Sequence, residues 1–367
     1  MSDSRVDRLA ALVAKESLDQ LLVGDLVHPS ETQRDAGANL RWLTGFTGTS
    51  GLALVGASEE RLFFTDFRYT ERAEREVGPE FERLKVERGL IADAAKWLRG
   101  RVGYDDAQTS VKNLGKLTEA APEGVELVPA TGLVERLRRH KDQWEMEAIA
   151  KAARIADQVY EWIFERGVVG MTERQIMLDA HQRLRELGAE DPSFPAIVGA
   201  GENSALPHHE SSDREVKEGE FLLIDMGAIV DGYCSDCTRT VATGEVEDET
   251  RNVYEVVRSA QAAALDAISA GLSGPHADAV ARDAIIADGY GDEFGHGLGH
   301  GVGIEVHEGP RLSKRSDETL EVGDVVTVEP GVYLPGRFGV RIEDLVMVTE
   351  NRCRNLSRVS KELRVVG

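Results

Sequence analysis

IDMGAIVDGYCSDCTRT, residues 224–240 of a 367-residue chain, has the pattern of a β-hairpin that carries two aspartates. Residues 221–226 and 233–240 are predicted strands, and the Val-Asp-Gly at 230–232 is a turn signal between them. If the pairing is centred between residues 230 and 231, Asp225 faces Asp236, with about 4.5–5.5 Å between their Cβ atoms. A turn centred one residue later would break this register. Two facing carboxylates repel each other unless a cation lies between them.

A second hairpin with two carboxylates is predicted near the end of the chain. Residues 324–329 and 339–348 are predicted strands, with 334–338 as the turn between them. Glu329 and Glu343 both lie among apolar strand residues, where an unpaired charge would be costly. We therefore expect both glutamates to bind a ligand rather than to face solvent.

Residues 295–301, GHGLGHG, contain two histidines in a glycine-rich segment. So many glycines disfavour a helix, and we do not expect His296 and His300 to chelate as a helical i, i+4 pair. We interpret the glycines as backbone freedom close to a ligand. A hard, mostly oxygen ligand set for two divalent metal ions is then available from Asp225, Asp236, His300, Glu329 and Glu343. This set predicts metal-assisted hydrolysis.

Residues 1–133 are predicted to form an α/β unit. Its expected strands are 18–26, 51–55 and 61–65, and its expected helices are 69–76 and 90–98. This half shows no cluster of histidines, cysteines or paired carboxylates. TGFTGTSG, residues 44–51, is glycine-rich but lacks the lysine of a phosphate-binding loop, so a nucleotide site is disfavoured.

A long amphipathic segment, residues 133–166, is predicted to be helical and to begin a second domain, which gives domain limits of 1–133 and 134–367. A further helix is predicted at 172–187, where Thr172 and Gln175 form a capping box and Gly188 ends the helix. The stretch beyond residues 191–195 has a β pattern.

The charge of the chain excludes several classes of function. Its net charge is −22, with 65 acidic and 43 basic residues, and such a field repels nucleic acid and anionic lipid. The polar N-terminus lacks the apolar core of a signal peptide, and no run approaches the ~18 apolar residues of a membrane span. We expect a cytoplasmic protein that binds neither nucleic acid nor membranes.

An acidic chain whose basic residues are mostly arginine also suits a salt-rich cytoplasm. At molar ionic strength, charges are screened beyond ~3 Å, which relieves the repulsion between carboxylates. A halophilic source is therefore one hypothesis, and an ordinary acidic bacterial enzyme is the other.

The three cysteines are Cys234, Cys237 and Cys353. An odd number without a signal peptide disfavours a disulfide framework. The Cys-Ser-Asp-Cys spacing superficially suggests a zinc or redox site, but residues three apart on a strand point to opposite faces, and no second such pair exists. We expect small buried thiols.

From about Lys141 onward, the chain resembles the pita-bread metallopeptidases, which include methionine aminopeptidase, aminopeptidase P and prolidase. The motifs that carry this resemblance are IDMGAIVDGYCSDCTRT (224–240), HGLGHGVGIEVHEGPR (296–311), VTVEPGVY (326–333) and GVRIEDLVMV (339–348). Residues 1–133 resemble the creatinase-type N-terminal domain, through NLRWLTGFTGTSG (39–51) and FTDFRYTERA (64–73). Methionine aminopeptidases lack that domain, which favours the proline-specific branch. The implied fold is an α/β creatinase-type domain followed by an α+β pita-bread catalytic domain.

This resemblance assigns a role to each predicted metal ligand. It implies that Asp225 chelates one ion, that Asp236 and Glu343 bridge both ions, and that His300 and Glu329 complete the other. A bridging hydroxide is the implied nucleophile, because coordination to metal lowers the pKa of water by many units.

The resemblance also implies roles for histidines around the metals. His208 and His307 would bind the scissile peptide and support the tetrahedral intermediate, while Glu329 would carry a proton to the leaving nitrogen. His296 is implied to lie near the substrate in the second sphere of the metals. His209 is the less favoured member of the adjacent pair.

Two arginines match positions at which prolidase-like enzymes place a guanidinium group near the substrate or the metal-site network. Arg311 or Arg341 would clamp the carboxylate of a C-terminal proline in a bidentate manner and so select dipeptides. Arg341 could equally serve only to orient Glu343.

The implied function is hydrolysis of the bond between an N-terminal residue and proline by a homodimer with two divalent ions, of which manganese or cobalt fits best. Xaa-Pro dipeptidase and Xaa-Pro aminopeptidase both remain open. Two alternatives are a non-catalytic pita-bread binding module and a metallo-aminopeptidase without proline specificity. Metal-free hydrolysis of the creatinase type is disfavoured because all five ligands are present.

Overall fold

The structure is a computed structural model that describes residues 4–24, 26 and 37–367. The chain divides into two compact units, residues 1–138 and 139–367.

A mixed six-stranded sheet forms the first unit. Its strands are β1 (Gln20–Val23), β2 (Gly51–Gly56), β3 (Arg61–Thr65), β4 (Glu82–Lys85), β5 (Arg101–Tyr104) and β6 (Glu126–Pro129). They are ordered β4-β3-β2-β1-β5-β6, with antiparallel pairing on both sides of β2 and parallel pairing elsewhere. The helices are α1 (Arg5–Lys15), α2 (Ala38–Thr44), α3 (Thr70–Glu76), α4 (Leu90–Ala94), α5 (Val111–Ala120) and α6 (Leu133–Arg138).

The predicted elements of this unit are largely confirmed. The strands expected at 51–55 and 61–65 are β2 and β3, and the helix expected at 69–76 is α3. The helix expected at 90–98 is α4 followed by a 3₁₀ turn at Ala95–Trp97. The strand expected at 18–26 is shorter, since β1 spans Gln20–Val23, and residue 25 lies outside the described residues.

Four helices belong to the second unit: α7 (Gln143–Arg166), α8 (Glu173–Glu186), α9 (Asp248–Ala267) and α10 (Gly274–Ala287). The single amphipathic segment expected at 133–166 is wrong, because Asp142 caps the start of α7 in a capping box with Glu145 and so separates it from α6. The capping box of α8 is confirmed. The Gln175 amide donates to Thr172 Oγ1 at 3.1 Å, and the Thr172 amide donates to Gln175 Oε1 at 2.9 Å.

Short antiparallel strands make up the rest of the second unit. They are β7 (Asp191–Pro192), β8 (Ile197–Ala200), β9 (Phe221–Asp225), β10 (Ala228–Val230), β11 (Tyr233–Cys234), β12 (Thr238–Ala242), β13 (Gly299–Gly301), β14 (Glu308–Leu312), β15 (Val325–Val328), β16 (Gly331–Leu334), β17 (Phe338–Arg341), β18 (Asp344–Val348) and β19 (Cys353–Asn355). They form sheets ordered β11-β10-β7, β12-β9-β8, β14-β13-β15-β18-β19 and β16-β17.

Two hydrophobic cores hold these sheets against the helices. In the first core, α7 and α8 cover β8, β9 and β12 with side chains such as Val159, Ile176, Leu222 and Val241. In the second core, α9 and α10 cover β15 to β18 with side chains such as Val257, Ile285, Val326 and Val346. Each fully buried side chain of this size contributes roughly 1.5–3 kcal/mol. The helices therefore hold the strands in place through apolar contacts. Polar side chains can then lie at the ends of the strands.

No helix among the described residues has the length and apolar character that crossing a bilayer requires. None of the three cysteines forms a disulfide, and Cys234 and Cys237 are buried in different hydrophobic clusters, whereas Cys353 is only partly buried, contrary to the expectation of buried thiols. The separation of Cys234 and Cys237 agrees with the expectation that they point to opposite sides.

Candidate metal centre

The first hairpin turns at Asp231-Gly232. Both residues have positive φ, 50° and 81°, as a two-residue type I′ turn requires. The pairs Val230–Tyr233 and Ile229–Cys234 follow, and further along the hairpin Asp225 pairs with Thr238. The predicted pairing of Asp225 with Asp236 is therefore wrong. The Asp-Gly pair itself occupies the two central turn positions, which shifts the register.

The corrected register still brings both aspartates to one end of the hairpin. Asp225 is the last residue of β9, and Asp236 lies in the irregular segment between β11 and β12. Both are buried, with 9% and 5% of their surface exposed. The Oδ1 atom of each has no hydrogen-bond partner among the described residues. Such atoms are costly in a protein interior unless a ligand satisfies them.

The second hairpin keeps the predicted arrangement. Val328 pairs with Asp344 on one side and Gly331 pairs with Arg341 on the other, so a continuous register places Glu329 opposite Glu343. The backbone amides of the two glutamates do not bond across this hairpin but donate to carbonyls of other segments. The Glu329 amide donates to Leu298 O at 2.8 Å, and the Glu343 amide donates to Thr238 O at 3.1 Å. The second bond joins the two hairpins directly.

His300 is held in an extended strand, as the glycine content predicted. Its Nδ1 donates to Gly301 O at 3.0 Å, which leaves Nε2 with a free lone pair for a metal. The explanation of the glycines is corrected. A Cβ on Gly299 would lie 2.1 Å from Thr327 O, and one on Gly301 would lie 2.0 Å from Gly309 O. Close strand contact, rather than backbone freedom near a ligand, therefore excludes side chains at these positions.

Three of the five predicted ligands converge tightly. Asp236, His300 and Glu343 each offer an atom within 4.8 Å of the others. His300 Nε2 lies 3.3 Å from Glu329 Oε1 and 3.7 Å from Asp236 Oδ2. Asp225 is also at the centre, but its Oδ2 accepts a hydrogen bond from Arg341 at 2.6 Å. The donor set, together with the two unpartnered aspartate oxygens, fits divalent metal ions.

The electrostatics of the pocket agree with a cation site. Burial and, to a smaller extent, the neighbouring acids raise the pKa values of Asp236 and Glu343 well above the usual range of carboxyl groups. Burial also raises the pKa of Asp225, although the Arg341 guanidinium opposes it. Glu329 differs, because without metal a protonated His300 donates from Nε2 to its carboxylate, and this hydrogen bond and charge outweigh burial and lower the pKa of Glu329 to about 2. A bound cation would relieve the repulsion among these carboxylates.

A buried hydrogen-bond chain leads away from Asp225. Arg341, 3% exposed, donates to Asp225 and to the Tyr333 hydroxyl at 2.9 Å. The Tyr333 hydroxyl in turn lies 2.9 Å from His296 Nε2, which accepts because His296 Nδ1 donates to Gly297 O. Burial raises the pKa of Tyr333 to about 12, so the hydroxyl keeps its proton. Arg341 thus contacts the predicted ligand Asp225 directly, and His296 is connected to it through Tyr333 and Arg341.

The remaining predicted residues are exposed. His307 places its ring 4.4 Å from that of His300, centroid to centroid. Its pKa is lowered first by partial desolvation and then by the nearby charges of His300, Arg311 and, more weakly, His208. Arg311 pairs with His300 in the β13–β14 ladder, and its guanidinium makes no hydrogen bond or ion pair with the described residues.

The adjacent histidines have different surroundings. His209 donates from Nε2 to the buried Glu173 carboxylate at 2.7 Å, whereas His208 is exposed. This contrast supports the preference for His208 as the residue that meets a substrate.

Four residues of the centre escaped sequence reasoning. Thr238 and Thr327 donate to the ligands Glu343 and Glu329 at 2.7 and 3.1 Å, and Tyr333 and Glu173 organise the histidines. Thr238 and Thr327 lie two residues from the ligands Asp236 and Glu329, and this spacing was an available signal. Glu173 had none, since its partners are distant in sequence.

The comparisons with known proteins agree with this geometry. The sequence profile of Metallopeptidase family M24 matches residues 147–350, and that of the Creatinase/Prolidase N-terminal domain matches residues 5–140. An Xaa-Pro dipeptidase of Pyrococcus furiosus is 32% identical over 371 residues, which covers 98% of this chain and 99% of the relative.

Two solved structures are similar over nearly the whole chain. An Xaa-Pro dipeptidase from Bacillus anthracis matches with a TM-score of 0.91 at 37% identity and covers 99% of both chains. An X-Pro aminopeptidase from Thermotoga maritima matches with a TM-score of 0.86 at 35% identity, over 95% of this chain and 98% of that one. The predicted fold, a creatinase-type domain followed by a pita-bread catalytic domain, is confirmed. From its ligand cluster and from these similarities, the chain belongs to metallopeptidase family M24.

Proposed function

We propose that this chain is a dinuclear-metal-dependent peptidase that cleaves the bond between an N-terminal residue and proline. The observation that carries the proposal is the convergence of Asp236, His300 and Glu343 within 4.8 Å, beside two buried aspartate oxygens without partners. A relative named Xaa-Pro dipeptidase that aligns over 98% of the chain supports the substrate class.

Five side chains would hold the metals: Asp225, Asp236, His300, Glu329 and Glu343. Two divalent ions would supply Lewis acidity and a water whose pKa is lowered toward neutrality. The carboxylates of Asp236 and Glu343 would hold the ions, because burial and then the neighbouring acids raise their pKa values and bound cations would offset that repulsion. The His300 tautomer, fixed by Gly301 O, presents Nε2 to the same point.

The proposed proton carrier is Glu329. Its carboxylate would accept a proton from the attacking water and return it to the leaving nitrogen. Thr327 Oγ1 and His300 hold its Oε1 at 3.1 and 3.3 Å. The exposed His208 and His307 would bind the scissile peptide, since the His307 ring lies 4.4 Å from that of His300 and the charge of His208 contributes to the lowered pKa of His307.

The surroundings of the two arginines favour dipeptides as substrates. Arg341 is buried and already bonded to Asp225, Tyr333 and Thr238, which supports an orienting role. Arg311 is exposed beside His307, and its guanidinium is available to the carboxylate of a C-terminal proline. The similar structure of an X-Pro aminopeptidase keeps a second candidate, removal of the first residue from longer Xaa-Pro peptides.

Product analysis by mass spectrometry tests the proposal. Purified, manganese-loaded protein would be incubated in potassium chloride with Leu-Pro and Leu-Pro-Pro, each beside a control without proline. Cleavage of the dipeptide alone indicates a dipeptidase, and release of leucine from the tripeptide indicates an aminopeptidase. Cleavage of the controls at equal rates contradicts proline specificity, and no cleavage favours a non-catalytic module.

The proposal includes finer points that need their own measurements. Manganese or cobalt is expected from one histidine among oxygen ligands, and metal titration followed by elemental analysis distinguishes them. A homodimer would be checked by light scattering. Salt dependence of refolding would test the halophilic hypothesis for a chain of net charge −22, which an optimum at low salt would contradict.

A further inference from the structure

One buried carboxylate in the second unit, that of Glu173, is hydrogen-bonded to the loop that carries His208. Glu173 is the first residue of α8, and its side chain is 0% exposed. Its Oε1 accepts from the Ala200 amide at 2.8 Å and from Asn203 Nδ2 at 2.9 Å. Its Oε2 accepts from His209 Nε2 at 2.7 Å and from the amide and hydroxyl of Ser212 at 3.0 and 2.6 Å.

These donors lie on both sides of His208 in the chain. Ala200 and Asn203 precede it, and His209 and Ser212 follow it. Between them, residues 206–208 form an arch, which we call the His208 arch. Within it, Leu206 is 53% exposed and His208 is exposed, whereas both ends are bound to the same carboxylate. Glu173 therefore fixes the distance between the two ends of the arch.

Helix capping does not explain this carboxylate. The amides of Thr172 and Gln175 are satisfied by the capping box, and those of Glu173 and Arg174 donate to Arg214 O and Ser212 O, so no amide at the start of α8 needs the Glu173 carboxylate. Instead, the buried carboxylate accepts hydrogen bonds from two chain segments. These segments must keep one relative position if both oxygens are to remain hydrogen-bonded. Hydrogen bonds from Ser212, Ala200 and His209 outweigh burial and lower the pKa of Glu173, so the carboxylate stays ionised at neutral pH.

We propose that Glu173 is a positioning residue for peptide hydrolysis, which acts through His209 and Ser212 to hold the segment that carries His208 in one conformation. The proposal rests on the function proposed above, in which His208 binds the scissile peptide. Glu173 touches neither substrate nor metal, and its effect passes entirely through the His208 arch.

The first test replaces Glu173 by glutamine. Glu173→Gln keeps the size of the side chain but turns one acceptor oxygen into a donor group that faces existing donors. Misplacement by about 1 Å lowers rates on the order of 10- to 100-fold, and we expect a loss of kcat/KM in that range on Leu-Pro. Glu202→Gln, an exposed acid in the same loop, is the matched control and should keep wild-type activity.

A measurement without substrate separates this inference from the proposed function. Hydrogen exchange followed by mass spectrometry should show faster exchange over residues 201–212 in Glu173→Gln and not in Glu202→Gln. Unchanged exchange there overturns the inference, whether or not the protein cleaves Xaa-Pro peptides. An inactive wild-type protein overturns the proposed function, and the positioning role falls with it.

A double-mutant cycle with His208→Ala distinguishes positioning from general stabilisation. If Glu173 acts through His208, Glu173→Gln should cause little further loss once His208 is absent. The same fold-loss in both backgrounds overturns the proposal. An active His208→Ala variant overturns both the role of His208 and that of Glu173.

A second pair of variants keeps the test decisive if Glu173→Gln does not fold. His209→Gln retains a donor toward Glu173, and His209→Ala removes it. We expect the alanine variant to lose kcat/KM and the glutamine variant to recover most of it. Equal activity of the two variants overturns the proposal.

Discussion

In the second unit, the carboxylates of the metal centre are nearly closed to solvent, whereas His208, His307 and Arg311 are exposed around them. Asp225, Asp236 and Glu343 are each at most 9% exposed and repel one another. The three exposed side chains make few hydrogen bonds and contribute little to the stability of the fold. This difference indicates that changes in the buried group should alter both stability and metal binding, while changes in the exposed group should alter kinetics alone.

The largest effect is expected from Asp236→Ala, which removes a carboxylate from the convergent cluster. Activity should fall by about 1,000-fold or more, because the proposed metal site would lose one of its carboxylate ligands and with it the Lewis acidity that the metals would supply. Elemental analysis should show less than two bound ions per chain. Asp283→Ala, an exposed aspartate on α10, serves as the control. Retained activity with two ions would refute the two-metal mechanism.

Arg341→Leu should have the next largest effect, this time on stability. The substitution leaves the buried Asp225 carboxylate without its guanidinium partner, and breaking a buried ion pair costs about 3–5 kcal/mol. Urea denaturation of the metal-free protein would measure the free energy of unfolding. An unchanged denaturation midpoint would contradict the expectation that the buried residues contribute to stability.

Arg311→Ala should show the opposite behaviour of the exposed group. Loss of a bidentate bond to the proline carboxylate should lower kcat/KM for Leu-Pro about 10- to 100-fold, with the free energy of unfolding unchanged. Leu-Pro amide, which lacks the carboxylate, should be cleaved equally by both proteins, and the exposed Lys314→Ala is the control. An equal loss on the amide would contradict a carboxylate clamp.

The smallest expected effect is a pH dependence of the metal-free protein. Burial and the neighbouring acids raise the pKa of Asp236, so the folded state favours its protonated form. The associated stability is present below the usual carboxylate pKa and is lost as pH rises through the raised value. Asp236→Asn should therefore gain in melting temperature over wild type as pH increases from 4 to 8. Saturating metal should abolish this gain, and a constant difference would contradict the expectation.

Local signals in the sequence were sufficient for much of the fold. The capping box at Thr172 and Gln175, the strands at 51–55 and 61–65, and the extended His300 segment are all as predicted. The opposed pair Glu329 and Glu343 was also predictable, since the flanking apolar strands leave only one register.

The register of the first hairpin was missed although its signal was present. Asp-Gly is itself the preferred pair for the two centres of a type I′ turn, and centring the turn there gives the observed partner of Asp225, which is Thr238. The Arg341–Asp225 bond and the Glu173 network had no comparable signal. The Arg341–Asp225 bond joins residues 116 positions apart, and the Glu173 network joins residues 27 to 39 positions apart, so that only packing decides these contacts.

The bond between the Glu343 amide and Thr238 O joins segments 105 residues apart, and it has a consequence for how the protein matures. The ligands are distributed from Asp225 to Glu343, so a nascent chain that ends before the second hairpin offers at most an incomplete set. Pairings of such long range form late in folding. Metal should thus be acquired as a closing step and should bind the finished fold in preference to any intermediate, so that it raises native stability by mass action. The metal content of a preparation would then give a lower limit to the fraction of molecules that have completed folding.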